Sequence, residues 1–253
     1  MKMHLLSGGR LRIRRSVYVP EASPQETLDV PVSSVLLKHR QGNLLFDTGC
    51  HPSAALDAKN RWGSMAAEMA PIFTPAETVV GQLSLAGLTT GDIDVVVCSH
   101  LQADHCGCNA FFSRATVICH CAEWAAARAA DAREHGYLQS EWRSAGPVDS
   151  INGVTDVFGD GRITLLPMPG HTPGMTTAHV ILDGDGEFLL ASDAVPLRFH
   201  LQTASAPAGS WNRELAVTAV RDIARFERAG ATVLFGHDDE QWRGLRRGSA
   251  FYE

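Results

Sequence analysis

The stretch VVVCSHLQADHCG, from Val95 to Gly107, joins a run of apolar residues directly to a cluster of polar ones. The apolar run is short, continuous and rich in valine, which predicts a buried β-strand. His100, Asp104 and His105 follow this strand. Side chains at the end of a buried strand emerge at a sheet edge, where α/β proteins place their binding and catalytic groups. The stretch therefore predicts a functional site at the edge of a sheet.

Three further apolar runs end in residues of the same kind. PMPGHTPG contains His171, LLASDAV contains Asp193 and VLFGHDD contains His237, each just after a predicted strand. A single histidine in such a place is more often a capping or solvated residue. Four strand ends that finish in imidazole or carboxylate groups instead favour a shared zinc, iron or manganese site. The candidate metal-binding residues are His100, Gln102, Asp104, His105, His171, Asp193 and His237.

The order of the predicted elements indicates a layered α/β fold. Two apolar runs flank Gln41-Gly42-Asn43, which predicts a hairpin. Start and stop signals predict one helix from Thr74 to Gly87 and a strongly amphipathic one from Asn212 to Gly230. Strands and helices alternate in both halves of the chain, so we expect helices outside two sheets. A length of 253 residues is ordinary for one domain, and a single domain over residues 1–253 is expected.

The composition narrows the possible classes of function. Hydrophobic residues make up 45% and charged residues 20% of the chain, which is typical of a folded globular protein. A formal charge of −6 argues against nucleic-acid binding. No apolar run approaches the roughly 20 residues that cross a bilayer, so no membrane span is expected. The start, MKMHLLSGGRLRIRR, lacks the apolar segment of a signal peptide, and the six cysteines suit reduced thiols. The expected location is therefore the cytoplasm.

Five short motifs resemble those of the metallo-β-lactamase superfamily. LLFDTG, SHLQADHCG, PGHTPG, ASD and GHD occur in the order typical of that family. SHLQADHCG and the ending GHDDEQWRGLRRGSAFYE are most similar to its N-acyl-homoserine lactonase and pyridoxolactonase-like branch. The resemblance implies an αββα sandwich of two pseudo-symmetric halves, with a site for two metals at the edges of the sheets.

The resemblance also implies which residues bind each metal, one or two Zn²⁺ ions in the first instance and iron or manganese otherwise. Asp193 would bridge the two metals, and Asp47 of LLFDTG would orient a ligand through a hydrogen bond. The other implied ligands are His100 and His171, with Gln102, for the first metal, and Asp104, His105 and His237 for the second.

Gln102 departs from the family pattern, because it occupies the place of the second histidine in the motif His-x-His-x-Asp-His. An amide oxygen is a neutral, harder and poorer ligand for zinc than imidazole, so the first position is expected to bind such metals less tightly. Three outcomes are compatible with the substitution. Gln102 coordinates weakly through its oxygen, or only the second position is filled, or catalysis is lost and a ligand-binding shell remains.

Pro196 is a second departure. Lactonases of this branch often carry a tyrosine three residues after the bridging aspartate, and proline offers no donor to a carbonyl oxygen. The reaction that the resemblance implies is still metal-assisted hydrolysis of a small-molecule lactone or a related ester. In that reaction Asp104 would receive a proton and pass it to the leaving alkoxide.

Two rival functions remain open. His100, His171 and Asp193 form the two-histidine, one-carboxylate set of mononuclear non-haem iron enzymes, such as the sulfur dioxygenases of this superfamily. The intact FGHDD context of His237 argues for hydrolysis instead. A non-catalytic protein that binds a lactone is the other rival.

Large apolar residues outside the motifs are candidates for a pocket over the metals. Trp62, Met65 and Phe73 lie in an irregular segment after the first motif, where they serve as core, pocket wall or the contact of a homodimer. His200 and Trp211 lie in the loop that follows Asp193 and are expected to line the same pocket.

Overall fold

The computed structural model describes residues 1–253 and builds two β-sheets from the two halves of the chain. The strands are β1 Lys2–Arg14, β2 Thr27–His39, β3 Gly42–Phe46, β4 Met69–Pro71, β5 Val95–Val97, β6 Thr116–His120, β7 Val148–Ile151, β8 Thr155–Asp156, β9 Ile163–Pro167, β10 Thr176–Leu182, β11 Gly186–Ser192 and β12 Thr232–Phe235. The α-helices are α1 Ala54–Trp62, α2 Val79–Gln82, α3 Ala103–Cys106, α4 Cys121–Ala127, α5 Gln139–Trp142, α6 Arg198–Thr203, α7 Arg213–Ala229 and α8 Asp239–Gly244.

The order of the strands places the ends of several of them at one edge of each sheet. The first sheet has the order β4-β1-β2-β3-β5-β6-β7, and the second has the order β12-β11-β10-β9-β8. In the first sheet β3, β5, β6 and β7 run parallel to one another, and in the second β11 runs parallel to β12. Because parallel strands end at the same edge, the segments that follow β3 and β5, and those that follow β11 and β12, are neighbours.

The core lies in three layers between four layers of backbone. Apolar side chains of both sheets, such as Leu37 and Val180, pack face to face in the middle of the molecule. Helices α2 and α4 cover the outer face of the first sheet. Helix α7 covers the second sheet through Val220 and Ile223, which contact strand residues such as Val233. This layering confirms the predicted αββα sandwich.

The predicted helix from Thr74 to Gly87 is present only in pieces. It consists of a 3₁₀ turn at Pro75–Glu77, the short helix α2 and a second 3₁₀ turn at Leu83–Ala86. The break falls at Thr78, whose backbone is extended and whose buried Oγ1 donates to the Pro75 carbonyl oxygen at 2.7 Å. Such a bond between a side chain and the local backbone competes with helix formation.

The predicted helix before Gly230 is confirmed over its full length. Asn212 caps it by accepting a hydrogen bond from the Leu215 N–H at 3.1 Å. None of the helices combines the length and the apolar character that crossing a membrane requires.

Candidate metal centre

The structure brings all seven candidate ligands together where the two sheets meet. The two histidines, the glutamine and the aspartate of SHLQADHCG follow β5, and the other three residues follow β9, β11 and β12. Two groups form, and within each group one ligand atom per residue lies within 4.8 Å of the others. The first group is His100, His171 and Asp193, and the second is Asp104, His105 and His237.

Asp193 faces both groups. Its Oδ1 lies 3.0 Å from His237 Nε2 and 3.5 Å from His105 Nε2. Its other oxygen, Oδ2, lies 3.5 Å from His171 Nε2. Asp104 Oδ2 completes the second group at 3.6 Å from each of its two imidazole nitrogens. Asp193 therefore occupies the position that a bridging ligand would need.

In their neutral forms, the two rings of the second group point lone pairs at each other. His237 Nδ1 lies 2.8 Å from the Pro31 carbonyl oxygen, which can only accept, so this nitrogen donates. His105 Nδ1 likewise donates to the Asp47 carboxylate at 2.9 Å. When both rings are neutral, the two Nε2 atoms, 3.3 Å apart, carry lone pairs and leave buried Asp193 Oδ1 without a hydrogen-bond donor. Buried acceptors without a donor are rare in proteins, and a cation between them would satisfy all three.

The charges of the site also favour a cation. Burial lowers the pKa of His105, but the nearby carboxylates, led by Asp104 and Asp193, outweigh it and raise this pKa to about 10. At His237, burial again lowers the pKa, but the nearby Asp193 carboxylate outweighs it and raises the pKa above its ordinary value. In the first group burial dominates and lowers the pKa of both rings. The second group therefore attracts positive charge more strongly than the first group does.

Asp47 is the centre of a buried hydrogen-bond network behind the candidate ligands. Its carboxylate accepts hydrogen bonds from the Ser99 N–H and hydroxyl, both at 2.7 Å, and from the Ser192 hydroxyl at 3.2 Å, in addition to His105. The Ser99 hydroxyl also lies 3.0 Å from His100 Nδ1. The network therefore links a histidine of each group to one carboxylate.

We expect Asp47→Asn to weaken metal binding by about 10- to 100-fold, the usual effect of losing an outer hydrogen-bond partner of a ligand. The left-handed backbone at this residue (φ 59) suits asparagine, so the fold should survive. The new amide group would donate toward His105 Nδ1 and favour the tautomer with its proton on Nε2, facing the metal. Competition with a chromophoric chelator measures the affinity. Asp94→Asn, which alters a carboxylate bonded to the Asn43 N–H at the far end of β5, is the control, and equal affinities in the two variants would contradict the prediction.

The amide of Gln102 faces the first group. Its Oε1 lies 3.3 Å from His100 Nε2 and 3.0 Å from His171 Nε2. The glutamine thus points an oxygen to the place where the family motif has an imidazole nitrogen.

A cleft of about 710 Å³ opens beside the two groups. Asp104, Gln102 and His171 line its inner end, and Met65 and Trp211, as expected from the sequence, line its walls.

The other three expected pocket residues do not line this cleft, and that part of the expectation is corrected. Trp62 and Phe73 are buried in a core cluster with Leu11, because the irregular segment folds back onto β1. His200 is fully buried and bonds the Tyr18 carbonyl oxygen at 3.0 Å.

Three polar residues that support the site were missed by the sequence analysis. Ser99 and Ser192 each directly precede a candidate ligand, and that adjacency was the available signal. Glu123 is fully buried on α4 and accepts hydrogen bonds from the backbone N–H groups of Leu101, at 3.0 Å, and Gly174, at 2.9 Å. It ties together the two loops that carry the histidines of the first group, and nothing in its local sequence indicated this.

Comparison with known proteins agrees with this geometry. The N-acyl homoserine lactonase AttM of Azorhizobium caulinodans is 27% identical over all of this chain and 99% of its own length. The N-acyl homoserine lactonase AiiB of Agrobacterium fabrum is 30% identical over all of this chain and 99% of its own length. A variant of AiiA from B. thuringiensis, solved with N-decanoyl-L-homoserine at its active site, superposes with a TM-score of 0.89 at 25% identity, over 99% of this chain and 98% of that one.

The family model described as the metallo-beta-lactamase superfamily matches residues 27–246, which include all seven candidate ligands. The resemblance drawn from the five sequence motifs is confirmed. This chain belongs to the metallo-β-lactamase superfamily.

Proposed function

We propose that the protein is a metal-dependent hydrolase that opens a lactone or a related ester. The observation that carries the proposal is the convergence of His105 Nε2, His237 Nε2 and Asp193 Oδ1 beside an open cleft, three atoms that are all acceptors when the two rings are neutral. Relatives named N-acyl homoserine lactonases support a lactone as the substrate. The activity is assigned to one domain over residues 1–253.

The donor set fits a divalent metal, with Zn²⁺ favoured and iron or manganese as the alternatives. A bound metal of this kind supplies Lewis acidity toward a carbonyl oxygen and hydroxide at neutral pH. Asp193 would be shared by two positions. The other ligands proposed are His100, His171 and Gln102 for the first position, and Asp104, His105 and His237 for the second.

The residues of the chain would contribute proton transfer and substrate binding. Asp104 lines the cleft and is the carboxylate placed to take up a proton and to return it to a leaving alkoxide. The cleft has the volume of a typical small-molecule site, and Met65 and Trp211 give it apolar walls suited to an acyl group. Pro196 has no N–H, and its carbonyl accepts the His237 N–H at 2.9 Å, so it cannot polarise the substrate.

The first group alone also matches the two-histidine, one-carboxylate set of mononuclear iron oxygenases. That interpretation leaves the second group, which is equally complete and more strongly charged, without a role. Hydrolysis uses both groups and is therefore the better supported function.

Removal of the metal is expected to lower hydrolysis by at least about 10³-fold, because the nucleophile and the Lewis acid are lost together. The protein as purified would be analysed for metal and assayed with N-acyl homoserine lactones, simple lactones, aryl esters and thioesters. The assays are repeated after dialysis against a chelator and again after addition of Zn²⁺, which should restore the rate.

A rate that survives complete metal removal would refute the proposal. Uptake of O₂ with a persulfide by an iron-containing protein would support the oxygenase, and lactone binding without turnover would support the non-catalytic protein.

A further inference from the structure

We propose that the wall of the cleft holds Gln102 as an oxygen ligand and thereby sets how fully the first metal position is occupied. The inference rests on the proposed function, since it concerns a metal at the first group. It adds a determinant of occupancy that lies outside the ligand set, in the backbone of His135 and Gly136.

The inner end of the Gln102 side chain points an acceptor oxygen at the two rings of the first group. Oε1 lies 3.3 Å from His100 Nε2 and 3.0 Å from His171 Nε2. The Ser99 hydroxyl donates to Asp47, so it accepts from His100 Nδ1, and the proton of His100 is held away from Gln102. A cation between these atoms would accept the lone pairs of Oε1 and His100 Nε2, and that of His171 Nε2 when the His171 proton lies on the unpartnered Nδ1.

The outer end of the same side chain fixes its orientation. Gln102 Nε2 donates to the His135 carbonyl oxygen at 3.0 Å. A carbonyl oxygen can only accept, so the amide nitrogen must face the wall and Oε1 must face the metal position. Rotating the amide by half a turn would set two oxygens against each other and would point N–H groups at the place of the metal.

The residues that make this contact belong to the wall of the cleft. His135 ends a 3₁₀ turn at Ala132–His135, and Gly136 follows it in the left-handed conformation (φ 85). A Cβ added at Gly136 would lie 3.1 Å from Gln102 Nε2 and 3.5 Å from its Cδ. Residues 133–137 line the cleft, so the segment that a substrate would touch also packs on the amide.

Metal binding at the first position is expected to depend on this contact between Gln102 and the wall of the cleft. The second position has the full charge of Asp104 in addition to a share of Asp193, whereas the first has only the share of Asp193 and the neutral amide. A position with less negative charge binds a divalent cation less tightly. Its occupancy therefore responds most to a small displacement of the oxygen.

The test compares Gly136→Ala with Gly87→Ala. Both glycines follow a 3₁₀ turn in the left-handed conformation, with φ values of 85 and 72. A Cβ at Gly87 meets nothing within 4 Å, whereas a Cβ at Gly136 presses on Gln102. The two variants share the backbone strain and differ in the contact with the amide.

The measurements are the number of Zn²⁺ ions per chain after dialysis and the affinity of the weaker position by chelator competition. We expect Gly136→Ala to lose up to one ion per chain and to bind the weaker ion about 10- to 100-fold less tightly, the range for an outer-partner defect. Gly87→Ala should match the unmodified protein. Equal ion content and affinity in the two variants would overturn the inference.

Two substitutions of the glutamine itself keep the test decisive if Gly136→Ala does not fold. Gln102→Leu should also lose up to one ion per chain, and Gln102→His should bind the weaker ion more tightly than the unmodified protein. Unchanged ion content and affinity in Gln102→Leu would exclude the amide as a ligand. These outcomes would leave the proposed hydrolysis standing, whereas an unmodified protein that neither binds metal nor hydrolyses any substrate would overturn both.

Discussion

An Asp193→Ala variant is expected to lose metal from both positions and to hydrolyse substrate at least about 10³-fold more slowly, well beyond the roughly 10- to 100-fold effect of an outer partner. Asp193 is the carboxylate that faces both groups, with Oδ1 3.0 Å from His237 Nε2 and Oδ2 3.5 Å from His171 Nε2. Burial raises its pKa, but His237 and the other rings outweigh this effect and hold the pKa well below its ordinary value. The carboxylate is therefore charged and available to a metal at neutral pH.

The metal content of Asp193→Ala is measured by elemental analysis, and circular dichroism checks that the variant is folded. Asp222→Ala is a matched control, since it removes a carboxylate on the exposed side of α7 that pairs with Arg225. Asp193→Asn separates charge from size, because it keeps an oxygen of the same reach. We expect Asp193→Asn to retain more metal than Asp193→Ala. Full metal content in Asp193→Ala would show that the two groups do not share this ligand.

The candidate ligands were predictable from the sequence because each lies in the segment that follows a strand. A polar residue after an apolar run must emerge at the sheet edge, and strands that run parallel end at the same edge. Asp193 after β11 and His237 after β12 follow this rule, and so does His100 after β5. Local patterns were sufficient here, since the rule needs only the position of each strand end.

Apart from Met65 and Trp211, the wall of the cleft was not predictable, because it depends on contacts between segments distant in the chain. Trp62 and Phe73 have the apolar surface of pocket residues, yet they fill a core cluster behind β1. No periodicity in the sequence of residues 51–73 distinguishes a core residue from a pocket residue. The contact between Gln102 and His135 spans 33 residues, and no pattern near either residue indicates it.

The backbone at the strand ends was also beyond local prediction. Asp47 and Ser192 adopt left-handed conformations, with φ values of 59 and 45, which residues other than glycine seldom adopt. Both side chains join the network that holds His105. Such strain persists where surrounding hydrogen bonds fix the geometry, and it is found most often at functional sites.

Asp104→Asn is expected to slow the hydrolysis of alkyl lactones by about 10²- to 10⁴-fold, the usual range for the loss of a general acid or base. The carboxylate lies 3.6 Å from the Nε2 atoms of His105 and His237, and it lines the cleft where a leaving alkoxide would form. Asparagine preserves the shape and one oxygen ligand, but it can neither take up a proton nor return one. The rate is measured with excess Zn²⁺, so that weaker metal binding does not limit it.

The leaving group separates the two roles of Asp104. An alkoxide must be protonated as it departs, whereas the phenolate of an activated aryl ester leaves without a proton. If Asp104 delivers the proton, Asp104→Asn should lose much less activity toward the aryl ester than toward the lactone. If it serves only as a metal ligand, both substrates should lose the same factor, because both need the metal. Asp222→Asn makes the same chemical change on the exposed side of α7 and should leave both rates unaltered. Undiminished lactone hydrolysis by Asp104→Asn would remove Asp104 from the reaction altogether.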